Sequence, residues 1–235
     1  MKIQGSVALV TGANRGLGAA FAQGLLAAGA SKVYAAARDP ATVTQPGVIP
    51  VRLDVTRPDQ VEQLARELTD VTLLVNNAGI AEMGPILAPQ SIEALRRQLE
   101  TNAFGPLRVT QAFAPILAAH LGSAVVNVLS VLAWLTLPSV SGSYSASKSA
   151  AWALSNAMRQ ELAAQGTALL AVHAAYIDTD LVRGVAAPKI SPEDVVRQTI
   201  AALEAGAPEV FADETTRHVH AGLTAQPPLY VGSGS

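Results

Sequence analysis

The chain predicts a three-layer, doubly wound α/β fold with a seven-stranded parallel sheet, and two observations carry that prediction. Short apolar or β-branched runs recur without regular polar alternation, as strands covered on both faces must read. Longer stretches of helical periodicity separate most of them, and strands alternating with helices pair in parallel through crossovers. No internal repeat or low-complexity linker divides the 235 residues, so 1–230 are expected to form one domain.

In order, strands are predicted at Val7–Thr11, Lys32–Ala36, Val48–Leu53, Thr72–Val75, Ala124–Leu129, Ala168–Val172 and Glu209–Phe211. Helices are predicted at Gly18–Ala28, Asp59–Leu68, Ile92–Leu121, Tyr144–Gln165 and Pro192–Ala205. The third helix holds Gly105-Pro106, where a break is expected because proline lacks an N–H and crowds the preceding turn. Pro58-Asp59 and Ser191-Pro192-Glu193 are start signals, and Gly29, Gly122, Gly166 and Gly206 sit at helix ends. The closing residues 231–235, VGSGS, read as a flexible tail. Ligands of such a sheet bind at the carboxyl ends of its strands, so the candidate residues are sought there.

Composition narrows the function classes. Half the residues are hydrophobic and only 14% are charged, which suits a low-charge surface or an oligomer interface. A net charge of −2 leaves no electrostatic footprint for nucleic acid, and no basic block marks a membrane surface. The absence of cysteine removes disulfides, thiol nucleophiles and zinc–thiolate sites. His218 and His220 lie in a polar stretch without other ligands, so no metal is expected. Val125–Leu137 is the most apolar stretch, but Asn127, Ser130 and Thr136 interrupt it, and it is too short to span a bilayer. MKIQGSVALV lacks the apolar core and cleavage site of a signal peptide, so a cytoplasmic location is expected.

The first strand runs into Thr11-Gly12-Ala13-Asn14-Arg15-Gly16-Leu17-Gly18 and then a helix. Glycines there permit a tight turn and close backbone approach, and the helix N-terminus can face a pyrophosphate, the dinucleotide-binding arrangement of a Rossmann fold. Specificity for the adenosine ribose should be set at the end of the second strand, Ala35-Ala36-Ala37-Arg38-Asp39. Ala37 stands where an acidic residue would bind the ribose 2′-hydroxyl and repel a 2′-phosphate. Arg38 follows it, and Arg15 and Asn14 are available from the glycine loop. Guanidiniums suit a phosphate, so NADPH/NADP+ is expected, with NADH the alternative if a one-residue slip makes Asp39 the ribose ligand. Asp54 is placed to accept from the adenine amino group with Val55 contributing backbone, while Thr56 is the expected helix cap. Asn76-Asn77-Ala78-Gly79 ends the fourth strand, where Asn76, Ala78 and Gly79 would admit the cofactor backbone.

Tyr144 and Lys148 stand four apart at the start of an Ala-rich helix and so share a face. An ammonium beside a phenol favours the phenolate, which builds a proton donor and acceptor without histidine or metal. With the glycine pattern at 11–18, Asn-Asn-Ala-Gly at 76–79, Asn102 and Ser130, the chain resembles the short-chain dehydrogenase/reductase family over nearly its whole length. The resemblance implies that Tyr144 gives a proton to a carbonyl oxygen in reduction or takes one from an alcohol in oxidation. It implies that Lys148 holds the nicotinamide ribose and lowers the tyrosine pKa, that Ser130 orients the substrate oxygen, and that Asn102 fixes a water linking Lys148 to solvent. It further implies a homo-oligomer, dimer or tetramer, built through the two long helices.

One departure from that family stands at His173-Ala174-Ala175-Tyr176-Ile177-Asp178-Thr179-Asp180, where alanines replace a usual Pro-Gly. If the turn needs a glycine-only backbone angle, Ala175 costs on the order of 1 kcal/mol; otherwise the change is nearly neutral. Ile177 and Thr179 stand where the nicotinamide carboxamide would be held. His173 reads as a satisfied strand-end histidine. Substrate should meet Ile80, Leu132, Trp134, Leu135, Val140, Tyr176 and Leu181, with Ala81, Val182 and Val185 nearby and Glu82 a solvated loop charge. Apolar groups dominate this set, so a hydrophobic ketone, aldehyde or alcohol is expected under a small lid at 179–191. The competing readings are a nucleotide-sensing protein without turnover, or a lyase or dehalogenase that dispenses with nicotinamide.

Overall fold

The computed structural model describes residues 1–231. Seven parallel strands form one sheet in the order β3-β2-β1-β4-β5-β6-β7. They are β1 (Val7–Thr11), β2 (Lys32–Ala37), β3 (Ile49–Arg52), β4 (Leu73–Asn76), β5 (Ala124–Val128), β6 (Ala168–His173) and β7 (Glu209–Phe211). The helices are α1 (Gly16–Ala27), α2 (Pro58–Glu67), α3 (Ser91–Leu99), α4 (Gly105–Ala118), α5 (Gly142–Ala163), α6 (Pro192–Ala205) and α7 (Glu214–Gly222).

Alternate residues of each strand serve opposite faces. Ala8 and Val10 join Phe21 and Leu25 of α1 and Val195 and Leu203 of α6 in one core. Leu9 between them joins Leu64 of α2, Phe113 and Leu117 of α4, and Leu162 of α5 in the other. Both faces are covered, as the continuous apolar strands require. The chain leaves β1 toward β2 and β3, then returns to place β4 on β1's other side. The crevice at this switch point, between the loops after β1 and β4, is where such a sheet binds its ligand.

Three local features differ from expectation. The predicted break near Gly105-Pro106 is a π-helical turn at Glu100–Phe104, immediately before α4. It carries Asn102, and a widened turn of this kind re-aims a side chain at a functional site. The supposed polar stretch around His218 and His220 is α7, started by Asp213, whose carboxylate accepts from Thr216 N at 2.8 Å. Third, α2 is capped by Arg57 without a side-chain bond, rather than by Thr56. Of the expected tail, Val231 ends a short turn at Leu229–Val231, and 232–235 lie outside the described residues.

Candidate active site

The floor of the crevice is laced by backbone and short side chains. Thr11 Oγ1 donates to Val75 O at 3.3 Å and accepts from the amides of Asn77 and Ala78, each at 3.0 Å. Asn77 Nδ2 returns bonds to Thr11 O at 2.9 Å and Gly12 O at 3.1 Å. So tight a seam leaves no room for a side chain. A Cβ on Gly12, which has φ +64°, would lie 2.9 Å from Ala78 Cα, and one on Gly18 would lie 2.1 Å from Gly12 O. α1 then begins at Gly16 with no side-chain cap and no acidic residue in its first turn. Its leading amides are left unclaimed by side chains, a cradle that fits a pyrophosphate. Leu17 is buried, so only its backbone serves the loop; Asn14 is half-buried and Arg15 exposed.

At the adenosine end, Ala37 is buried and Arg38 exposed. Asp39 is already occupied: its carboxylate accepts from Ala41 N at 3.1 Å and starts a short turn at Pro40–Thr42. Arg52, at the end of β3, donates to Arg38 O at 3.2 Å and brings a second guanidinium that was not singled out from the sequence. The signal was its place two residues before Asp54. Asp54 accepts from Thr56 N at 3.0 Å and Thr56 Oγ1 at 2.8 Å, and its own amide is held by Gln60 at 2.8 Å. Val55 O is pinned at 2.6 Å by Arg108, which pairs with Glu100 at 2.7 Å. Asn76 departs from its expected place. Its amide is buried toward α4, donating to Thr110 at 3.0 Å and Asn127 at 2.9 Å, because β4's alternation turns it into the sheet–helix layer. Gly79 stays at the cleft, where an added Cβ would lie 3.9 Å from Lys148 Nζ.

Ser130 follows β5 and caps a short turn at Val131–Ala133, its hydroxyl accepting from Leu132 N at 3.1 Å. Lys148 Nζ donates to Val128 O at 3.0 Å and stands 5.9 Å from the centre of the Tyr144 ring. Ser130, Tyr144 and Lys148 therefore converge at the end of β5. Tyr144 is half-buried there. Burial pushes the phenol up to about 12, and a hydrogen bond with Ser130 works against that rise. Burial likewise lowers Lys148 to about 8. The expected depression of the tyrosine by the lysine is thus reversed in the protein alone. Removing water costs the phenolate more than the ammonium returns at this separation.

Asn102 Oδ1 accepts from Ile80 N at 2.8 Å, and Nδ2 donates to Ile80 O and to Ser147 Oγ, both at 2.9 Å. Its side chain thus ties the loop after β4 to α5. Trp134 is anchored from a second side as well. Its ring stacks on His173 at 4.1 Å and packs against Phe211 and His220, because the turn after Ser130 swings it toward β6, β7 and α7. Leu132 and Leu135 share with Trp134 a cluster that includes Tyr144 and Ala175. Ile80 and Tyr176 are half-buried, while Val140 and Leu181 are exposed. Glu82 is not a free loop charge: it pairs with Arg97 at 2.6 Å, which holds its carboxyl below the usual range.

His173 is fully buried, with Nδ1 at 3.5 Å from Ser130 O and Nε2 at 3.5 Å from Glu209. Ala174 and Ala175 close the open question of the turn. Ser139 alone among the described non-glycine residues has positive φ, so Ala175 needs no glycine-only angle. Its amide donates to Asp213 at 2.8 Å. Beyond it, Ile190 N bonds Tyr176 O and Asp178 N bonds Ile190 O, both at 2.9 Å, closing the ends of the loop. Thr179 Cγ2 lies 3.2 Å from where a Gly16 Cβ would stand, and Arg15 reaches Asp180 at 4.0 Å. The loop after β6 thereby meets the start of α1 across the cleft. Among the described residues no helix is long and apolar enough to cross a membrane, and no cluster of three His, Asp or Glu could hold a metal.

The sequence profile of the short chain dehydrogenase family matches residues 6–189. A short chain dehydrogenase of Aspergillus terreus is 35% identical over 78% of this chain, and the match spans 44% of that longer relative. One from Monascus ruber is 32% identical over 84% of this chain and 75% of its own. A crystallised short chain dehydrogenase of Burkholderia cenocepacia, in complex with NADP, is 42% identical, covers 97% of this chain and 96% of its own, and superposes with a TM-score of 0.92. With the glycine cradle, the Tyr144–Lys148 pair and the strand order all in place, the chain belongs to the short-chain dehydrogenase/reductase family of NAD(P)(H)-dependent oxidoreductases.

Proposed function

We propose that the protein reduces a hydrophobic ketone or aldehyde to an alcohol with NADPH, reversibly, using Tyr144 as general acid and base. The observation that carries this reading is the convergence at the end of β5 of Ser130, Tyr144 and Lys148, whose Nζ is held by Val128 O at 3.0 Å and stands 5.9 Å from the Tyr144 ring centre. A phenol raised to about 12 keeps its proton at neutral pH, which suits donation to a carbonyl oxygen. Ser130 Oγ orients that oxygen and stabilises the charge developing on it. Lys148, lowered to about 8, is still mostly cationic at neutral pH and suited to hold ribose hydroxyls. The bound nicotinamide supplies the hydride.

Support for NADPH comes from three sides. Asp39 is engaged by its own turn, and Arg38 and Arg52 make no ion pair among the described residues. Two guanidiniums without a carboxylate partner on adjoining strand ends suit a 2′-phosphate. The Burkholderia relative was crystallised with NADP. Gly12, Asn14, Arg15, Gly16, Leu17 and Gly18 would cradle the pyrophosphate, Asp54 and Val55 the adenine, and Ile177 and Thr179 the carboxamide, under a lid at 179–191. Leu132, Leu135, Ile80 and Tyr176 suit an apolar substrate. A homo-oligomer built through the long helices α3–α4 and α5 goes with this reading.

Purified protein should consume NADPH, followed at 340 nm, with members of a panel of aryl ketones and aldehydes. Tyr144→Phe should lower kcat by about 10³-fold with NADPH affinity little changed. Arg38→Ala should erode the preference for NADPH over NADH by about tenfold. Tight NADPH binding without turnover across the panel would assign the protein to nucleotide sensing instead, and turnover surviving in Tyr144→Phe would exclude the phenol as acid.

A further inference from the structure

Asn102 is one of two matched amides. Four residues earlier, on α3, Gln98 does the same work one step along the loop. Its Oε1 accepts from Glu82 N at 3.0 Å, and Nε2 donates to Glu82 O at 3.2 Å and to Ser143 Oγ at 2.9 Å. Each amide clasps both backbone groups of one loop residue and tethers one serine of α5. The partners advance in step: Gln98 and Asn102, Glu82 and Ile80, Ser143 and Ser147. Four residues of helix rise about 6 Å. Two residues of extended chain cover about the same distance, so the three elements share a register. Gly84 N continues the seam, donating to Val140 O at 2.6 Å.

This seam is buried and fully satisfied. Gln98 and Ser147 are fully buried, with Asn102 and Ser143 nearly so. Every donor and acceptor on the two amides has a partner, which is the condition for a buried polar network to fix one geometry. Ser143 and Ser147 immediately precede Tyr144 and Lys148, and Ser147 Oγ also donates to Tyr144 O at 2.7 Å. The two rungs therefore grip α5 on the residues just before the two reactive side chains. A helix held at one point can pivot or slide; one held at two points a turn apart cannot.

We propose that Gln98 and Ser143 form a positioning rung that, together with Asn102 and Ser147, sets the Tyr144 phenol against the loop 79–84 and hence against the substrate. This rests on Tyr144 acting as the acid and base. Gln98 touches neither substrate nor cofactor in this arrangement; it acts through the loop and α5. Its helical position on the amphipathic α3 gives no sign of that in the sequence.

The test uses the full chain with NADPH and the best carbonyl substrate of the panel. Gln98→Met keeps the side-chain length and removes the amide; it should lower kcat by about 10- to 100-fold, the cost of displacing a reactive group by about an ångström. NADPH affinity, read by fluorescence titration, should stay within about twofold, because the glycine cradle is untouched. The apparent pKa of the kcat profile should move by at least about half a unit as water reaches the phenol. Ser143→Ala leaves the Gln98 clasp on Glu82 intact and cuts only the ties of α5 to Gln98 and, at 3.4 Å, to Glu82 O, so it folds even where Gln98→Met does not. It should lower kcat by about three- to tenfold, and added to Gln98→Met it should cost less than it does alone, since only its long bond to Glu82 O is then left to lose. Parental kcat and pH profile in folded Ser143→Ala and Gln98→Met overturn the rung alone. A parent enzyme without turnover overturns the reading of Tyr144, and the rung with it.

Discussion

The two walls of the cleft are held by different chemistry. On the β1–β4 side the shape comes from missing atoms: Gly12 and Gly18 let backbone meet backbone, and Thr11 and Asn77 stitch the two loops together. On the β5–α5 side it comes from added atoms, a run of amides and hydroxyls that grips the loop 79–84 and the start of α5. On the function proposed above, the first wall would hold the cofactor by steric fit and oriented amides, and the second would place a proton. An error in the first should cost affinity, and an error in the second should cost turnover.

Gly18→Ala is the severest way to break that distinction. Its methyl would sit 2.1 Å from Gly12 O and 2.5 Å from Asn77 Nδ2, and a backbone oxygen cannot swing aside as a side-chain end can. We expect NADPH affinity to fall on the order of 100-fold by fluorescence titration and stability to fall by about 2 kcal/mol. At saturating cofactor, kcat should stay within about tenfold of the parent. A variant with parental affinity and a collapsed kcat would mean that the glycine seam positions the reaction as well, and the two walls would not be separable.

Lys148→Met sharpens the comparison from the other side. Burial lowers Lys148 from the usual 10.5 to about 8, so below pH 8 it is charged both folded and unfolded and the burial cost is present in full. Between pH 8 and 10.5 the folded protein gives up this proton before the unfolded chain does. The unfolded state then binds more protons, and the contribution of this residue to stability rises with pH. Tyr144 acts in the opposite sense, retaining its proton between pH 10 and about 12 when folded. Denaturant titrations at pH 7 and 9.5 should show Lys148→Met more stable than the parent at pH 7, by at most about 3 kcal/mol, with the gap narrowing at 9.5. An unchanged gap would mean that the ammonium is solvated in the folded protein.

The same contrast explains what the sequence allowed to be read. The glycine wall was legible because each glycine answers a local question, whether a Cβ fits, and the answer stands in the spacing 12, 16, 18 after a strand. The Tyr144–Lys148 pair and Ser130 were legible through helix geometry and strand ends. Gln98 was not, since a glutamine on an amphipathic helix reads as solvated, and its partners Glu82 and Ser143 lie 16 and 45 residues away. The stacking of Trp134 on His173 was not legible, because closeness to Ser130 in sequence does not say which way a turn throws the next ring. The direction of the Tyr144 shift was misread for a related reason. The sequence names the neighbouring ammonium but not the water that folding removes. Short α7 was overlooked although Asp213, three residues before Thr216, is a cap signal.

The smallest expected effect lies at the turn after β6, which belongs to neither wall alone. A family habit of Pro-Gly suggests that Ala175→Gly should repair something. The backbone says otherwise: Ala175 is outside the positive-φ region, and its amide is already bound to Asp213 at 2.8 Å. Glycine there would keep the same bond and the same turn while giving the unfolded chain more freedom. The variant should therefore be less stable by about 0.5 kcal/mol in a denaturant titration, with kcat and NADPH affinity within about twofold of the parent. Asp213→Asn, which keeps a shorter list of acceptors for Ala175 N, Thr216 N and Thr216 Oγ1, should cost more than this substitution does. If Ala175→Gly instead raised kcat severalfold, the turn would be strained against the nicotinamide side of the cleft, and the alanine would mark a third element that tunes the reaction.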